Sequence, residues 1–524
     1  MPKLTLRMGE RQQYHIRKRI IIHGNLVLLT PTHLGNGDTD APTDMALMRD
    51  SISDAALLTG SGIAGALRNY LRAREQGDGK CEPSETKGMA EKLFGGLKGA
   101  DEGSQSPLIV SDARSLTDDP RIELRDGVRI NAQTRTADDT GKYDLELLAA
   151  GTTFPLRFEL RIADNDDEQV LRDSLAISLS GLESNQTTNL QSGEIGIGMK
   201  KRRGFGRCRV AGWRVWEFDL TDPDDLLCWL EFKYDFDTQF SPSSPSPQTA
   251  VQALGASSAV SLDNRQRAVL EAAFTLAGPL LIRSGQDEAV LGPDVRHLHA
   301  MQVEGQLQPV VSGTSLAGVL RHRAERIANT IRPGSGSAFV DHLFGRMPNA
   351  QQADDMGQAS RMVVHEHVVH NVNTDLVQNR IAIDRFTGGA YEGALFNAQP
   401  VFATPETHLT LMIEIVDPDT AEIGMLLLLL KDLWTADLPI GGESSIGRGR
   451  LRGRWARLRC TGRTELNITE ASGVLQVKET VTDEAGNPQI QDADQAALER
   501  LITDLHQALA TGIPNGTKES VRNH

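Results

Sequence analysis

Apolar positions along the chain fall into two alternating patterns, and both patterns occur twice in the same order. Residues 19–31, RIIIHGNLVLLTP, and 269–283, VLEAAFTLAGPLLIR, are short apolar runs of the kind that fill a buried strand. Residues 57–68, LLTGSGIAGALR, and 310–321, VVSGTSLAGVLR, match without a gap and switch to helical spacing. Ile63, Leu67, Tyr70 and Leu71 make the stripe of the first helix, and Leu316, Val319, Leu320 and Ile327 that of the second. Ser61 and Thr314 stand where a hydroxyl can cap each N-terminus. Gly65 and Gly318 fall mid-helix, where glycine costs up to about 1 kcal/mol relative to alanine. Because both copies accept that cost, the pattern predicts close approach of another backbone there. Further strands are expected at PLRFELRI (155–162) and HLTLMIEIV (408–416), and further helices at EQVLRDSLAISLSGL (168–182) and EIGMLLLLLKDLW (422–434). The order strand, helix, strands, helix, strand predicts an α+β, ferredoxin-like sandwich in each copy.

Each copy closes on a glycine-arginine segment, IGMKKRRGFGRCRVAG (197–212) and IGGESSIGRGRLRG (440–453). Read for alignment, Gly206-Arg207-x-Arg209 answers Gly447-Arg448-x-Arg450. In the first segment Lys200, Lys201, Arg202, Arg203 and Arg207 surround glycines that let a backbone come close, which suits phosphates. A tight hairpin with solvated charges would look the same. The second segment keeps the glycines but replaces the basic run with GGESS, so it shapes more and attracts less. Residues 125–154 and 378–402 each read as a strand, a polar glycine-containing tip and a return strand, a hairpin projecting from the sheet or packed on its own domain. Before each first helix lies an acid-rich stretch, with His33, Asp38, Asp40, Asp44 and Asp50 in one copy and Asp287, Glu288, Asp294, His297 and His299 in the other. Solvated turns are the ordinary reading of such stretches. Metalloprotease, esterase and deaminase signatures are missing, and no P-loop follows the GIG.

With 524 residues, the chain suits two domains of ordinary size. They are expected at 1–235 and 267–465, joined by a Ser/Pro/Ala-rich linker at 236–266 and followed by an acidic tail, 466–524, with one amphipathic helix. A formal charge of −15 argues against loose, non-specific binding of nucleic acid, though not against a shaped groove. The four cysteines lack metal-ligand spacing. No apolar run could span a bilayer, and MPKLTLRMGERQQYHIRKR has no signal-peptide core, so a cytoplasmic protein without a membrane partner is expected.

Together these segments resemble the RAMP (repeat-associated mysterious protein) superfamily of CRISPR proteins, and within it the backbone subunits of type III effector complexes. The resemblance rests on THLGNGD, TDMALMRD, TGSGIAGALR, RDGVRIN, YDLELLAAGTTF and GFGRCRV in copy one. In copy two it rests on GPDVRHL, SGTSLAGVLR, NRIAIDRFTGGAYEGALFNAQPV and SIGRGRL. It implies two tandem RRM-like palms, each with a thumb hairpin and a glycine-rich loop, stacked with others along a guide RNA. RNA contacts would fall to His33, Arg68, Lys200, Lys201, Arg202, Arg203 and Arg207, and to Arg321, Arg448 and Arg450. His33 matches a histidine of the first glycine loop, where copy two has Leu281. The resemblance also implies cutting of target RNA, with a divalent ion such as Mg or Mn, at a loop aspartate that falls on Asp44 and Asp294. Implied partners are guide RNA, complementary target RNA, and other backbone, small and large polymerase-like subunits. A purely structural guide-RNA scaffold and a guide-processing endoribonuclease remain open alternatives.

Overall fold

The computed structural model describes residues 15–37, 45–78, 88–96, 105–131, 134, 136–184, 192–231, 247–257, 262–284, 293–348, 355, 357–482 and 488–511. In the first repeat the long strand β1 (Ile16–Leu28) is buried on both faces, which explains its unbroken apolar run. Ile20, Ile22, Leu26 and Leu28 face the helices, while Ile21 packs on the other side with Trp216 and Phe218. After β1 come helices α1 (Gly60–Gln76) and α2 (Met89–Phe94), then strand β2 (Leu108–Val110). A hairpin, β3 (Ile122–Ile130) and β4 (Ala137–Leu148), precedes β5 (Thr153–Ala163), α3 (Glu168–Ser180), β6 (Cys208–Val210), β7 (Arg214–Asp219) and α4 (Pro223–Glu231). The sheet order is β2-β5-β1-β6, with β7 also on β1, and all pairs are antiparallel. That is a ferredoxin-like sheet.

The second repeat rebuilds it. Its elements are β8 (Arg267–Leu276), α5 (Gly313–Ile331), α6 (Gly336–Phe344), β9 (Met362–Val364), a hairpin β10 (Gln378–Ile383) and β11 (Ala390–Gln399), β12 (Phe402–Val416), α7 (Thr420–Trp434) and β13 (Leu451–Cys460). The order β9-β12-β8-β13 repeats that of the first sheet. Each repeat has its own apolar core.

Four expectations change. The helix caps lie two residues upstream of Ser61 and Thr314: Thr59 Oγ1 accepts from Gly62 N (3.2 Å) and Ser312 Oγ from Ser315 N (3.3 Å). The mid-helix glycines are not close-approach points, since a Cβ at Gly65 or Gly318 would meet nothing within 4 Å. Crowding falls instead on the first residue of each helix, where a Cβ at Gly60 would strike the Val110 carbonyl and one at Gly313 those of Val364 and Arg203. Residues 465–482 and 488–511 are built onto the second repeat rather than trailing from it. Strands β14 (Glu465–Ala471), β15 (Val474–Thr482) and β16 (Pro488–Asp492) extend its sheet from β13. Helix α8 (Gln495–Thr511) buries Leu501, Leu505 and Leu509, spaced for one face, and lies so close to α7 that a Cβ at Gly424 would come 2.5 Å from the Leu501 carbonyl oxygen. Finally, the described part of the linker is tied to the first repeat. Glu183 accepts from Ala250 N (2.6 Å), Asp173 from Ser257 N (2.7 Å), and Arg265 pairs with Glu194 (2.7 Å). Among the described residues no helix is long and apolar enough to cross a membrane.

The repeats meet through polar side chains. Arg125 of β3 reaches Glu366 of the second repeat with both terminal guanidinium nitrogens, and its side chain and that of Glu366 are only 7% and 4% exposed. Glu123 joins this group and also accepts from Met301 N (2.9 Å). Asp78 pairs across the junction with Arg267 (3.0 Å).

Candidate nucleic-acid interface

The two glycine loops run through the same succession of turns. Lys200 and Glu443 both take left-handed backbone (φ 52 and 58), each followed by one turn of 3-10 helix, Lys201–Arg203 and Ser444–Ile446. Gly204 and Gly447 (φ 90 and 87) and Gly206 and Gly449 (φ 75 and 76) come next. At these positive φ values glycine is the residue without a Cβ penalty. Hydrogen bonds decide the alignment: Leu29 N and Ala277 N donate to the carbonyls of Arg207 and Arg450, and Gly206 N and Gly449 N to those of Pro31 and Pro279. Arg207 therefore answers Arg450, two positions from the pairing read in the sequence. Phe205 answers Arg448, and the basic run 200–203 answers Glu443-Ser444-Ser445-Ile446. His33 answers Leu281, whose carbonyls accept from Met199 N and Gly442 N respectively.

Most of the arginines expected on RNA are engaged inside the protein. Arg68 and Arg321 play one role twice, donating to the carbonyls of Gly95 (3.0 Å) and Gly345 (2.6 Å) that end α2 and α6; Arg321 also pairs with Asp341. Arg203 donates to the Met362 carbonyl (3.0 Å), the Phe344 carbonyl (3.1 Å) and Ser360 Oγ (3.2 Å) of the second repeat. Burial, with Arg321 and Arg202 nearby, pulls its pKa down to about 10, so it is charged at neutral pH. Arg207 is held by Ser192 Oγ (2.8 and 3.0 Å). Arg448 is 2% exposed and pairs with Glu443 (2.6 Å), and Arg450 donates to the Ala436 carbonyl (2.7 Å). Arg202 is half-buried and its pKa is lowered by burial. His33 is an interior residue, 1% exposed, whose Nδ1 donates to the Glu146 carbonyl (2.8 Å) and ties its loop to the thumb. Of the basic run, Lys201 stays at the surface, and half-buried Lys200 donates to the Tyr143 hydroxyl (2.6 Å) with its ammonium 3.9 Å from the ring centroid.

Lys200 belongs to a cleft that sequence reasoning missed. Thumb residues Gly127 and Tyr143 and loop residues Lys200 and Phe205 form one wall, and Arg283, Ser284, Thr314 and Ser315 of the second repeat form the other. Nothing in the sequence ties exposed Arg283 and the α5 hydroxyls to Lys200, because only the docking of one repeat on the other brings them together.

Asp44 lies outside the described residues. Its neighbour Met45 bridges Leu145 of the thumb in parallel, as Val295 after Asp294 pairs with Ala398. Asp294 is exposed but not free: its carboxylate accepts from Asn397 N (2.8 Å), and its own N donates to Asn397 Oδ1 (2.6 Å). His297 is core, its pKa driven down to about 3 by burial, with Nε2 donating to the Val310 carbonyl (3.0 Å). Among the described residues, the group of carboxylates and histidine at metal-ligand spacing is His342, Asp419 and Glu422, remote in sequence from Asp294. There the Arg361 guanidinium already bonds Glu422 (2.8 Å) and His342 (2.5 Å), so a cation is built in. Among the described residues, Asp294 belongs to no such group of three.

The RAMP superfamily model matches residues 25–209 and 273–452, well over half the chain and once per repeat. The chain belongs to the RAMP superfamily. Members of this superfamily are CRISPR-associated RNA-binding proteins, and the tandem match follows the two palms. No curated protein matches this RAMP chain in sequence.

Proposed function

We propose that this RAMP protein is a double backbone subunit of a type III CRISPR effector, binding guide RNA across its two palms and carrying a target-RNA cleavage centre at Asp44. The observation that carries the RNA reading is the cleft at the repeat junction. Lys200 and Arg283 supply charge and Tyr143, Thr314 and Ser315 hydroxyls, a combination suited to the phosphates of a single strand. Net acidity elsewhere confines attraction to such a groove. Ultraviolet cross-linking of the assembled complex tests this: cross-linked peptides should contain Tyr143 or residues 312–315, and cross-links confined to other surfaces would refute it.

For cleavage, the aspartate would help move the proton of the ribose 2′-hydroxyl that attacks the adjacent phosphate, leaving a cyclic phosphate and a free 5′-hydroxyl. Such acid–base help is typically worth about 10²–10⁴ in rate. A divalent ion, when bound, would stabilise charge on the phosphate. For the second repeat a scaffold role is the better reading, because the Asp294 carboxylate is engaged by the Asn397 backbone.

A further inference from the structure

The two ends of the chain differ, and the junction between the repeats defines what each end fits. Within the chain, the first glycine loop docks on the second palm through two keyed contacts. Arg203 enters a socket formed by the Phe344 and Met362 carbonyls and Ser360 Oγ, and Arg125 pairs with Glu366. Glycine at 313 leaves room for the Arg203 carbonyl, and glycine at 204 for the backbone at Glu366.

The first palm carries the same receiving face. Ser106 Oγ donates to the carbonyls of Leu108 (2.8 Å) and Leu93 (3.0 Å), as Ser360 Oγ does to those of Met362 (2.7 Å) and Leu343 (3.5 Å). Phe94 stands in the place of Phe344, each before the glycine whose carbonyl Arg68 or Arg321 holds. Gly60 stands in the place of Gly313, and exposed Asp112, whose Oδ1 accepts from Gly60 N (2.6 Å) and whose carboxylate makes no ion pair among the described residues, in that of Glu366. Among the described residues no cationic side chain bonds to this face.

The second repeat's own loop lacks both keys. The loop alignment puts Ile446, 57% exposed, at the position of Arg203. Thumb register puts Gln378 at that of Arg125, since Leu148 and Val401 make the same bridges and Arg125 and Gln378 pair with the residues three before them. Gln378 accepts from Arg448 (2.5 Å), and the charges of Arg448 and Arg380 are met by Glu443. Neither key position of the second repeat therefore carries a free cation for Asp112.

We propose that the face formed by Phe94, Ser106, Leu108 and Asp112 receives the glycine loop of a RAMP repeat on a different chain, one with arginine at the Arg203 position, and that this chain's second repeat is excluded from it. The chain is therefore a segment with distinct ends that does not polymerise with itself. The inference rests on the backbone reading above, but its test needs no RNA, so the two can fail separately. Sedimentation velocity of the purified full chain across the micromolar range should show a single chain. The double variant Gln378→Arg, Ile446→Arg supplies both keys and should shift to dimers and longer head-to-tail species, and adding Asp112→Arg should return it to single chains. Should the double variant misfold by circular dichroism, Ile446→Arg alone, at an exposed position, carries the same expectation with weaker association. Self-association of the wild type that Asp112→Arg abolishes, or a folded keyed variant that stays a single chain throughout, would overturn the proposal.

Discussion

Replacing Arg125 by methionine should destabilise the chain far more than its distance from either core suggests. The substitution keeps much of the side-chain volume but leaves the Glu366 and Glu123 carboxylates, 4% and 12% exposed, without their cation. Breaking a buried pair from one side costs about 3–5 kcal/mol, whereas replacing both partners by apolar groups is often close to neutral. Glu123 complicates the second case, since burial already pushes its pKa up. The triple change Arg125→Met, Glu366→Leu, Glu123→Gln should therefore recover most of the loss. The five tryptophans divide between the repeats, Trp213, Trp216 and Trp229 in the first and Trp434 and Trp455 in the second, so urea denaturation followed by fluorescence samples both sides of the junction. An Arg125→Met cost below about 1 kcal/mol, or a triple variant that loses the sum of its parts, would refute the buried-pair assignment.

Four further outcomes follow from the same geometry. Gly65→Ala and Gly318→Ala should each stabilise by up to about 1 kcal/mol, because their Cβ atoms enter open space, while Gly60→Ala and Gly313→Ala should destabilise; thermal melts decide. Neutralising Lys200 and Lys201 should lower the log–log salt slope of RNA binding by about 0.7 per lost phosphate contact, whereas Arg203→Ala should weaken the junction and leave that slope unchanged. Asp44→Ala should remove one cut in the assembled complex with guide binding intact, and Asp294→Ala should leave the mapped product ends unchanged while loosening the second thumb. Burial, then Asp419, raises the Glu422 carboxyl to about 7, so folding favours its protonated form, and stability from this group is lost as pH rises from its unfolded value toward 7. Wild type should lose against Glu422→Gln across that window, by at most about 1.4 kcal/mol per pH unit, and a difference independent of pH would refute the assignment.

The duplication was legible because LLTGSGIAGALR and VVSGTSLAGVLR align without a gap, and the strand and helix periods around them give the ferredoxin order. The loop alignment was not, because GFGRCR and GRGR offer two registers and only the backbone bonds to Arg207 and Arg450 separate them. The basic run KKRR reads as a phosphate grip until the second palm is in place, at which point Arg203 lies in a socket of carbonyls far along the chain. Glu366 gave no signal at all, since its partner is 241 residues away. The strands at 465–492 did leave a trace: Ser472 and Gly473 both take positive φ, as a two-residue hairpin requires, and ASGV between alternating segments is that signature. Acidity drew attention to the tail as a whole and hid the alternation.

RNA carried by the intact assembly is the most direct test of the guide-binding role. Coexpressed with its partner subunits and purified through a tag on this chain, the complex should contain RNA of defined length, protected across the cleft of Lys200, Tyr143 and Arg283. A complex of full composition that is free of nucleic acid would contradict it.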